Sequence, residues 1–174
     1  MARKKLFSRA DGYSENDLLV ASRDHMISAR LLFNEGSLPG LDSAGYLAHL
    51  SFELLLKAAL LYLEDKFPQG HDLGELLAQV RAAGLKLRVS TSAKSLFERL
   101  KSFYDLRYPN PGIPVSIAAP DGALIERTWT SLWNQLPEPL QAKMPAFYEL
   151  RQDGMFRKGG RVIMIRKKDS GKAR

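Results

Sequence analysis

The stretch SAGYLAHLSFELLLKAALLYLED, residues 43–65, constrains the fold more than any other part of the chain. Its apolar side chains recur at spacings of three and four residues, the period of an α-helix, at Leu47, Leu50, Leu54, Ala58 and Leu61. A helix with such an apolar seam packs against other helices. The sequence therefore predicts a helical fold built around this segment.

Two further helices are predicted from the same period together with residues that begin and end helices. Ser14 is placed to cap the first helix, and Gly36 is placed to end it. Asp72 occupies the capping position of the third helix, and Gly84 follows its last apolar residues. Both segments carry apolar side chains at helical spacing, so each is expected to bury one face.

Three more helices are predicted from the turn residues and prolines that flank them. Asp42 is expected to cap the long second helix after a turn in SLPGLD. A fourth helix is predicted from about residue 92 to 107, where Pro109 prevents its continuation. A fifth helix is expected to open at Pro120, after an extended proline-rich loop.

The predicted fold class is all-α, an antiparallel bundle of about five main helices with a short C-terminal β-hairpin or extended basic tail. Gly159-Gly160, between two apolar runs, is a plausible hairpin turn. The predicted divisions are a basic N-terminal arm over 1–13, the helical bundle over 14–150, and the basic hairpin or tail over 151–174.

The net charge of +7 is unevenly distributed along the chain. Residues 151–174 hold 9 basic and 2 acidic side chains, while residues 1–150 hold 17 of each. A balanced body with basic ends is not the usual footprint of a domain whose whole face lies on a nucleic acid duplex. The pattern indicates a body with charged arms.

Several classes of chemistry are excluded or disfavoured by composition. The chain has no cysteine, which excludes disulfides and thiolate metal sites and is typical of a reducing cytosol. Its three histidines are too few to build much of a metal centre, and no cofactor motif is recognisable, so neither a metal nor a cofactor is expected. Charges interrupt the apolar stretches and the first residues carry no apolar run, so we expect a cytoplasmic protein without a membrane span or signal peptide.

His49, Glu53 and Lys57 follow one another at intervals of four residues along the second helix and therefore lie on one line. One interpretation is a polar strip inside a groove, with Lys57 as a phosphate-binding cation that Glu53 holds in place. The other interpretation is a solvated helix face with one ordinary Glu–Lys pair.

His71 and Asp72 also admit two interpretations. A carboxylate that orients an imidazole is typical of metal sites and of acid–base catalysis. Alternatively, Asp72 is only a helix cap, which accounts for its position without any ligand. Trp129 and Trp133 have the spacing of core residues, and we favour a core role over stacking on bases.

The segment YDLRYP places a cation and two phenols at the end of the fourth helix. Arg107 is positioned to meet a phosphate or a carboxylate, with Tyr104 or Tyr108 as a stacking surface. The alternative is that Arg107 caps the last carbonyl groups of the helix while Tyr104 fills the core.

The order of ELLLKAALLYL, HDLGELL and YDLRYP over roughly residues 15–136 resembles the HEPN domain. The residues that carry the resemblance form three short groups: Glu53, Leu56 and Lys57; His71, Asp72 and Leu73; and Arg107, Tyr108 and Pro109. The resemblance implies a helical bundle that usually dimerises and is associated with nucleotide or RNA binding. Members often work beside a minimal nucleotidyltransferase in toxin–antitoxin or defence pairs.

Many members of that family are metal-independent ribonucleases, in which an arginine and a polar residue are followed a few positions later by a histidine. Here Tyr108 follows Arg107, and no histidine occurs after His71. The first hypothesis is therefore a non-catalytic, dimeric nucleotide- or RNA-binding module with a protein partner. The alternatives are an RNA endonuclease in which His71 or His49 acts from another helix, and a scaffold protein without a small ligand.

If the chain binds RNA, the basic tail should contribute affinity that falls steeply with salt. Truncation at about residue 153 is expected to weaken binding and to flatten the dependence of log K on log salt concentration, measured by titration with a labelled RNA. An unchanged slope would show that the tail makes no contact with the nucleic acid.

Overall fold

The computed structural model describes residues 5–104, 117–118 and 120–143, without the side chains of residues 38, 39 and 102–104. The predicted C-terminal hairpin and tail over 151–174 lie outside the described residues. The helices are α1 (Glu15–Glu35), α2 (Leu38–Glu64), α3 (Leu73–Ala82), α4 (Thr91–Tyr104), α5 (Asp121–Trp133) and the short α6 (Glu138–Gln141). A single turn of 3-10 helix spans Arg9–Asp11, and the two strands are β1 (Leu6–Ser8) and β2 (Lys66–Pro68). The all-α prediction is confirmed.

The predicted ends of α1 and α3 are confirmed in atomic detail. The Ser14 side chain accepts a hydrogen bond from the Asp17 backbone N–H at 3.1 Å, and Gly36 ends α1 with a left-handed φ of 72°. Asp72 accepts from the backbone N–H of Glu75 at 3.0 Å. These caps satisfy backbone groups that the helices themselves leave without partners.

The prediction that α2 starts after Asp42 is wrong, because the helix already begins at Leu38. Pro39 lies in the first turn, where its missing N–H has no intrahelical acceptor in any case. A Cβ atom at Gly40 would lie 2.7 Å from Ser37 Oγ, a contact that rotation of the exposed serine side chain relieves. The segment SLPGLD is therefore the start of the helix and not a turn before it.

Helix α2 lies at the centre of the bundle and contacts α1, α3, α4 and α5. Of the predicted seam, Ala58 and Leu61 are fully buried, while Leu47 and Leu54 are only partly buried against the core. The deepest large side chains of α2 include Phe52 and others outside the seam. Because neighbours pack around much of its circumference, α2 buries far more than one stripe.

By length and composition alone, Gly40–Glu64 is apolar enough to cross a membrane, because an 18-residue stretch within it has a mean hydropathy of 1.4. In the structure, 67% of that stretch is buried within the protein. A core helix surrounded by other helices has the same apolar composition as a membrane-spanning helix, because the interior of a protein and the interior of a membrane both favour apolar side chains.

The two strands form a small antiparallel sheet in which Phe7 faces Phe67 across the pair. The basic residues of this part of the chain predict an arm, and no sequence pattern there predicts the strand. Phe7, Tyr13 and Phe67 form a ring cluster with centroid separations of 5.2 to 5.8 Å. Arg9 pairs with Asp65 at 2.6 Å, so the N-terminal segment is fixed to the end of α2.

Buried hydroxyl groups join α1, α2 and α5. Ser22 Oγ donates to the Ser51 carbonyl at 2.7 Å, and Ser51 Oγ donates to the Ser22 carbonyl at 2.6 Å. Trp129 Nε1 donates to Ser22 Oγ at 3.1 Å. Trp129 and Trp133 are both buried and stack with centroids 5.5 Å apart, which confirms their core role.

The reciprocal serine contact predicts a measurable loss of stability in Ser51→Ala. Removal of the buried hydrogen bond is expected to lower the free energy of unfolding by about 1 kcal/mol relative to Ser28→Ala. Ser28 is an exposed residue of α1 that bonds only to the preceding turn, so the control has the same gain in helix propensity. Urea denaturation measures both variants, and equal values would contradict this role of the Ser51 hydroxyl.

Candidate functional site

The polar row on α2 is buried, so the interpretation as a solvated helix face is wrong. His49, Glu53 and Lys57 expose 1%, 4% and 5% of their surfaces. The reason lies in the tertiary structure, because α3 and α4 both pack against α2. Polar side chains that are removed from water in this way need hydrogen-bond partners, and charged ones need opposite charges, within the protein.

Glu53 is the centre of this polar cluster. Its Oε1 accepts from Lys57 Nζ at 2.7 Å and lies 2.9 Å from Nδ1 of His71, which precedes α3. His49 Nε2 lies 3.6 Å from Glu53 Oε2, a separation beyond a direct hydrogen bond. One carboxylate is therefore surrounded by an ammonium group and two imidazoles, and the predicted contact between Glu53 and Lys57 is observed. We call these four residues the Glu53 cluster.

The Glu53 cluster also connects α2 to other elements. His49 Nδ1 lies 3.0 Å from the Leu100 carbonyl of α4, and a carbonyl only accepts, so Nδ1 carries the proton in this contact. Lys57 Nζ lies 5.6 Å above the ring of Phe67 in β2, within the range of a cation–π interaction. The cluster thus spans α2, α4, β2 and the segment before α3.

The electrostatics of the cluster favour an ionised Glu53. Burial raises the pKa of this carboxyl group. The opposing effects of three neighbours are larger and lower the pKa to about 2: those of His49, of the positive charge and hydrogen bond of Lys57, and of His71. Of the three contacts, the one with Lys57 is the shortest, at 2.7 Å. Glu53 is therefore a carboxylate throughout the physiological range.

Asp72 acts as a helix cap, and the carboxylate beside His71 is Glu53 instead. Besides capping α3, Asp72 pairs with Lys101 Nζ of α4 at 2.6 Å. The hydrogen bond from Lys101 is the largest of the effects that lower the pKa of Asp72. No local sequence pattern connects Asp72 to Lys101, because Lys101 lies 29 positions further along the chain.

The other predicted site residues fall outside what the structure describes. Arg107 and Tyr108 lie in the segment that is not described, and Tyr104 is the last residue of α4, with a backbone but no described side chain. The structure therefore brings together Lys57, Glu53 and His71, and it does not test their ligand-binding roles. Within the described ranges, no group of three or more metal-binding side chains has a geometry that could hold an ion.

Comparison with known proteins identifies the family. The model of the HEPN domain matches residues 16–114, more than half of the chain. The chain belongs to the HEPN family. Neither a curated protein nor a solved structure matches the sequence. Membership associates this HEPN domain with nucleotide- or RNA-related functions, and the matched region includes the whole Glu53 cluster.

Substitution of Glu53 should destabilise the HEPN domain strongly, because it leaves the Lys57 ammonium buried without its carboxylate. We expect Glu53→Gln to lower the free energy of unfolding by about 3 kcal/mol at pH 7. Glu64→Gln, an exposed position on the same helix, is the matched control and should change it little.

The pH dependence of this difference provides a second measurement. The pKa of Glu53 is lowered from 4.5 to about 2 on folding. The ionised carboxylate therefore contributes its full stabilisation above the pKa of the unfolded state, and this contribution is lost as the pH falls through the pKa of the folded state. Denaturation curves should therefore show the wild type approaching Glu53→Gln as the pH is lowered from 5 towards 2. A constant difference would contradict the ionised state assigned to Glu53.

Proposed function

We propose that this HEPN domain is a nucleotide- or RNA-binding module that does not cleave RNA by itself and that acts, as a homodimer, with a partner protein of a toxin–antitoxin or defence system. The observation that carries the non-catalytic assignment is the burial of His49 and Lys57 within the Glu53 cluster. Binding to nucleotide or RNA is supported by membership in the family.

Metal-independent cleavage of RNA requires a base for the ribose 2′-OH and an acid for the leaving oxygen. His49 is 1% exposed and is held between α2 and the Leu100 carbonyl, so solvent and substrate do not reach it. Lys57 is 5% exposed and its ammonium group contacts Glu53. These side chains fit a role in holding the helices together better than a role in proton transfer.

The ligand contacts in this proposal lie at the end of α4. Arg107 supplies the phosphate contact, and Tyr104 or Tyr108 supplies a surface on which a base stacks. The Glu53 cluster helps to fix the C-terminal part of α4, because His49 bonds to the carbonyl of Leu100 near the last turn of that helix. Lys57 and Glu53 thus contribute to binding by positioning rather than by contact.

Arg107→Ala is expected to weaken binding of a short single-stranded RNA by about tenfold at low salt, because one charge-assisted phosphate contact is lost. Fluorescence anisotropy with a labelled RNA measures the affinity, and Arg107→Lys should recover part of it. Unchanged affinity in Arg107→Ala would remove the basis for this site. Absence of RNA and nucleotide binding by the wild type at low salt would favour the scaffold function instead.

One observation favours a second candidate function, a metal-independent ribonuclease. His71 is the member of the Glu53 cluster that solvent reaches, with 36% of its side chain exposed. Its Nδ1 lies 2.9 Å from the Glu53 carboxylate, and a carboxylate in this position fixes the tautomer and orientation of a catalytic imidazole. In this hypothesis Arg107 steadies the scissile phosphate, His71 accepts the proton of the attacking ribose 2′-OH, and the leaving 5′ oxygen takes a proton from water.

The two functions differ in an assay for RNA cleavage in the presence of EDTA. The binding function predicts no cleavage by the purified wild-type protein. If cleavage occurs and is lost in His71→Ala but retained in His25→Ala, a partly buried histidine of α1, the ribonuclease assignment replaces the binding function. Cleavage that survives both substitutions would indicate a contaminating nuclease.

A further inference from the structure

A wide groove of about 1140 Å³, lined mostly by residues with polar side chains, lies between the segment that joins α3 to α4 and one face of α5. Arg88 and Ser90 line it from that segment, and Arg127, Thr130 and Asn134 line it from α5 and its end. None of these residues belongs to the Glu53 cluster or to the predicted ligand contacts at the end of α4. The groove is thus a separate feature of the domain.

Basic side chains line the groove and the cavities beside it. Between Glu75 and Glu98 the sequence has four cations and no acidic residue: Arg81, Lys86, Arg88 and Lys94. A neighbouring cavity of about 480 Å³ is lined by all four, and another of about 290 Å³ again joins Arg88 to Arg127. The fold therefore adds Arg127 of α5 to a basic stretch that lies more than thirty residues earlier.

Two side chains hold the backbone around Arg88 in place. The Gln135 amide accepts from the Arg88 N–H at 2.6 Å and donates to the Arg88 carbonyl at 3.1 Å. Arg81 donates two hydrogen bonds to the carbonyl of Leu87, whose own side chain is buried. Arg88 itself is exposed, so an exposed guanidinium group is carried on a fixed backbone, which reduces the entropy lost on binding.

The acidic residue of the groove lining is compensated. Glu126 Oε1 accepts from Arg30 Nη1 of α1 at 3.0 Å. Its charge is therefore balanced within the bundle and does not neutralise the arginines that face the groove. The field inside the groove favours an anion.

Charge and exposed apolar surface limit what kind of molecule can bind in the groove. The chain's own tail carries 9 basic and 2 acidic residues, and a second copy would present the same basic face, so like charges disfavour both. Large exposed apolar side chains of the described region are Leu6 and Tyr13, and neither lines the groove. The groove thus lacks the apolar anchor that stable protein–protein interfaces use.

We propose that this groove binds the sugar–phosphate backbone of single-stranded RNA, with Arg88 and Arg127 as phosphate contacts and without reading of the base sequence. Hydroxyl and amide side chains beside arginines are the groups that contact phosphate and sugar oxygens in nucleic acid complexes. The inference rests on the proposed RNA-binding function and names the surface that carries part of it.

The test compares the full chain with the double variant Arg88→Gln/Arg127→Gln in titrations with a labelled single-stranded RNA at several salt concentrations. Loss of two phosphate contacts should weaken binding by about 10- to 100-fold at low salt and reduce the slope of log K against log salt concentration by about 1.4. The control Lys5→Gln/Lys66→Gln removes the same charge beside the β1–β2 pair and should keep the wild-type slope.

A second measurement locates the RNA directly. Bound RNA should protect Lys86 and Lys94 from acetylation, as measured by mass spectrometry, while Lys66 reacts as in the free protein. An unchanged slope in the double variant together with unprotected Lys86 and Lys94 would overturn the groove but leave RNA binding intact. No binding by the wild type would overturn the proposed function itself.

A polyglutamate peptide distinguishes RNA from an acidic protein segment. The groove proposal predicts that RNA binds more tightly than a polyglutamate of equal charge, because the peptide lacks the sugar and phosphate oxygens that the hydroxyl and amide groups contact. If polyglutamate binds as tightly as RNA and its binding is lost in Arg88→Gln/Arg127→Gln, the groove is a site for an acidic protein and the proposal is wrong.

Discussion

A buried negative charge on the central helix organises this domain. Removal of a carboxylate from water costs several kcal/mol unless charges and hydrogen bonds replace the lost hydration. Lys57 provides the opposite charge at 2.7 Å from Glu53, and His71 provides a second contact at 2.9 Å. Because the second contact comes from the segment before α3, and because His49 joins the same cluster to α4, the charge is compensated only when the three helices are packed.

A chain of contacts connects the compensated charge of Glu53 to the periphery of the bundle. Lys57 lies over the ring of Phe67, Phe67 pairs with Phe7 across the small sheet, and Tyr13 packs against both rings. The N-terminal strand therefore belongs to the same packed unit as the centre of α2. A segment that is basic in sequence, and that was expected to be an arm, covers one end of the central helix.

Charge is distributed in space quite differently from its distribution along the chain. The body of the protein has balanced totals, yet arginines from two distant segments line one groove while its central carboxylate is neutralised inside the bundle. A balanced total is thus compatible with a strong local field, which depends on which side chains share a surface. In the proposed function, the groove and the basic tail provide electrostatic affinity, and the polar residues at the end of α4 provide the more specific contacts.

The sequence by itself determined the helices, because periodicity and caps act over only a few residues. Ser14 and Asp72 were recognisable as caps. Proline, in contrast, is common both in turns and in the first turn of a helix, so Pro39 did not show that α2 already begins at Leu38. The line that contains Glu53 was also predictable, together with its contact to Lys57. Only the tertiary structure decided that this line is buried and that Arg127 joins a distant basic stretch, because burial and electrostatic neighbours depend on elements that are far apart in the chain and meet only when the bundle packs.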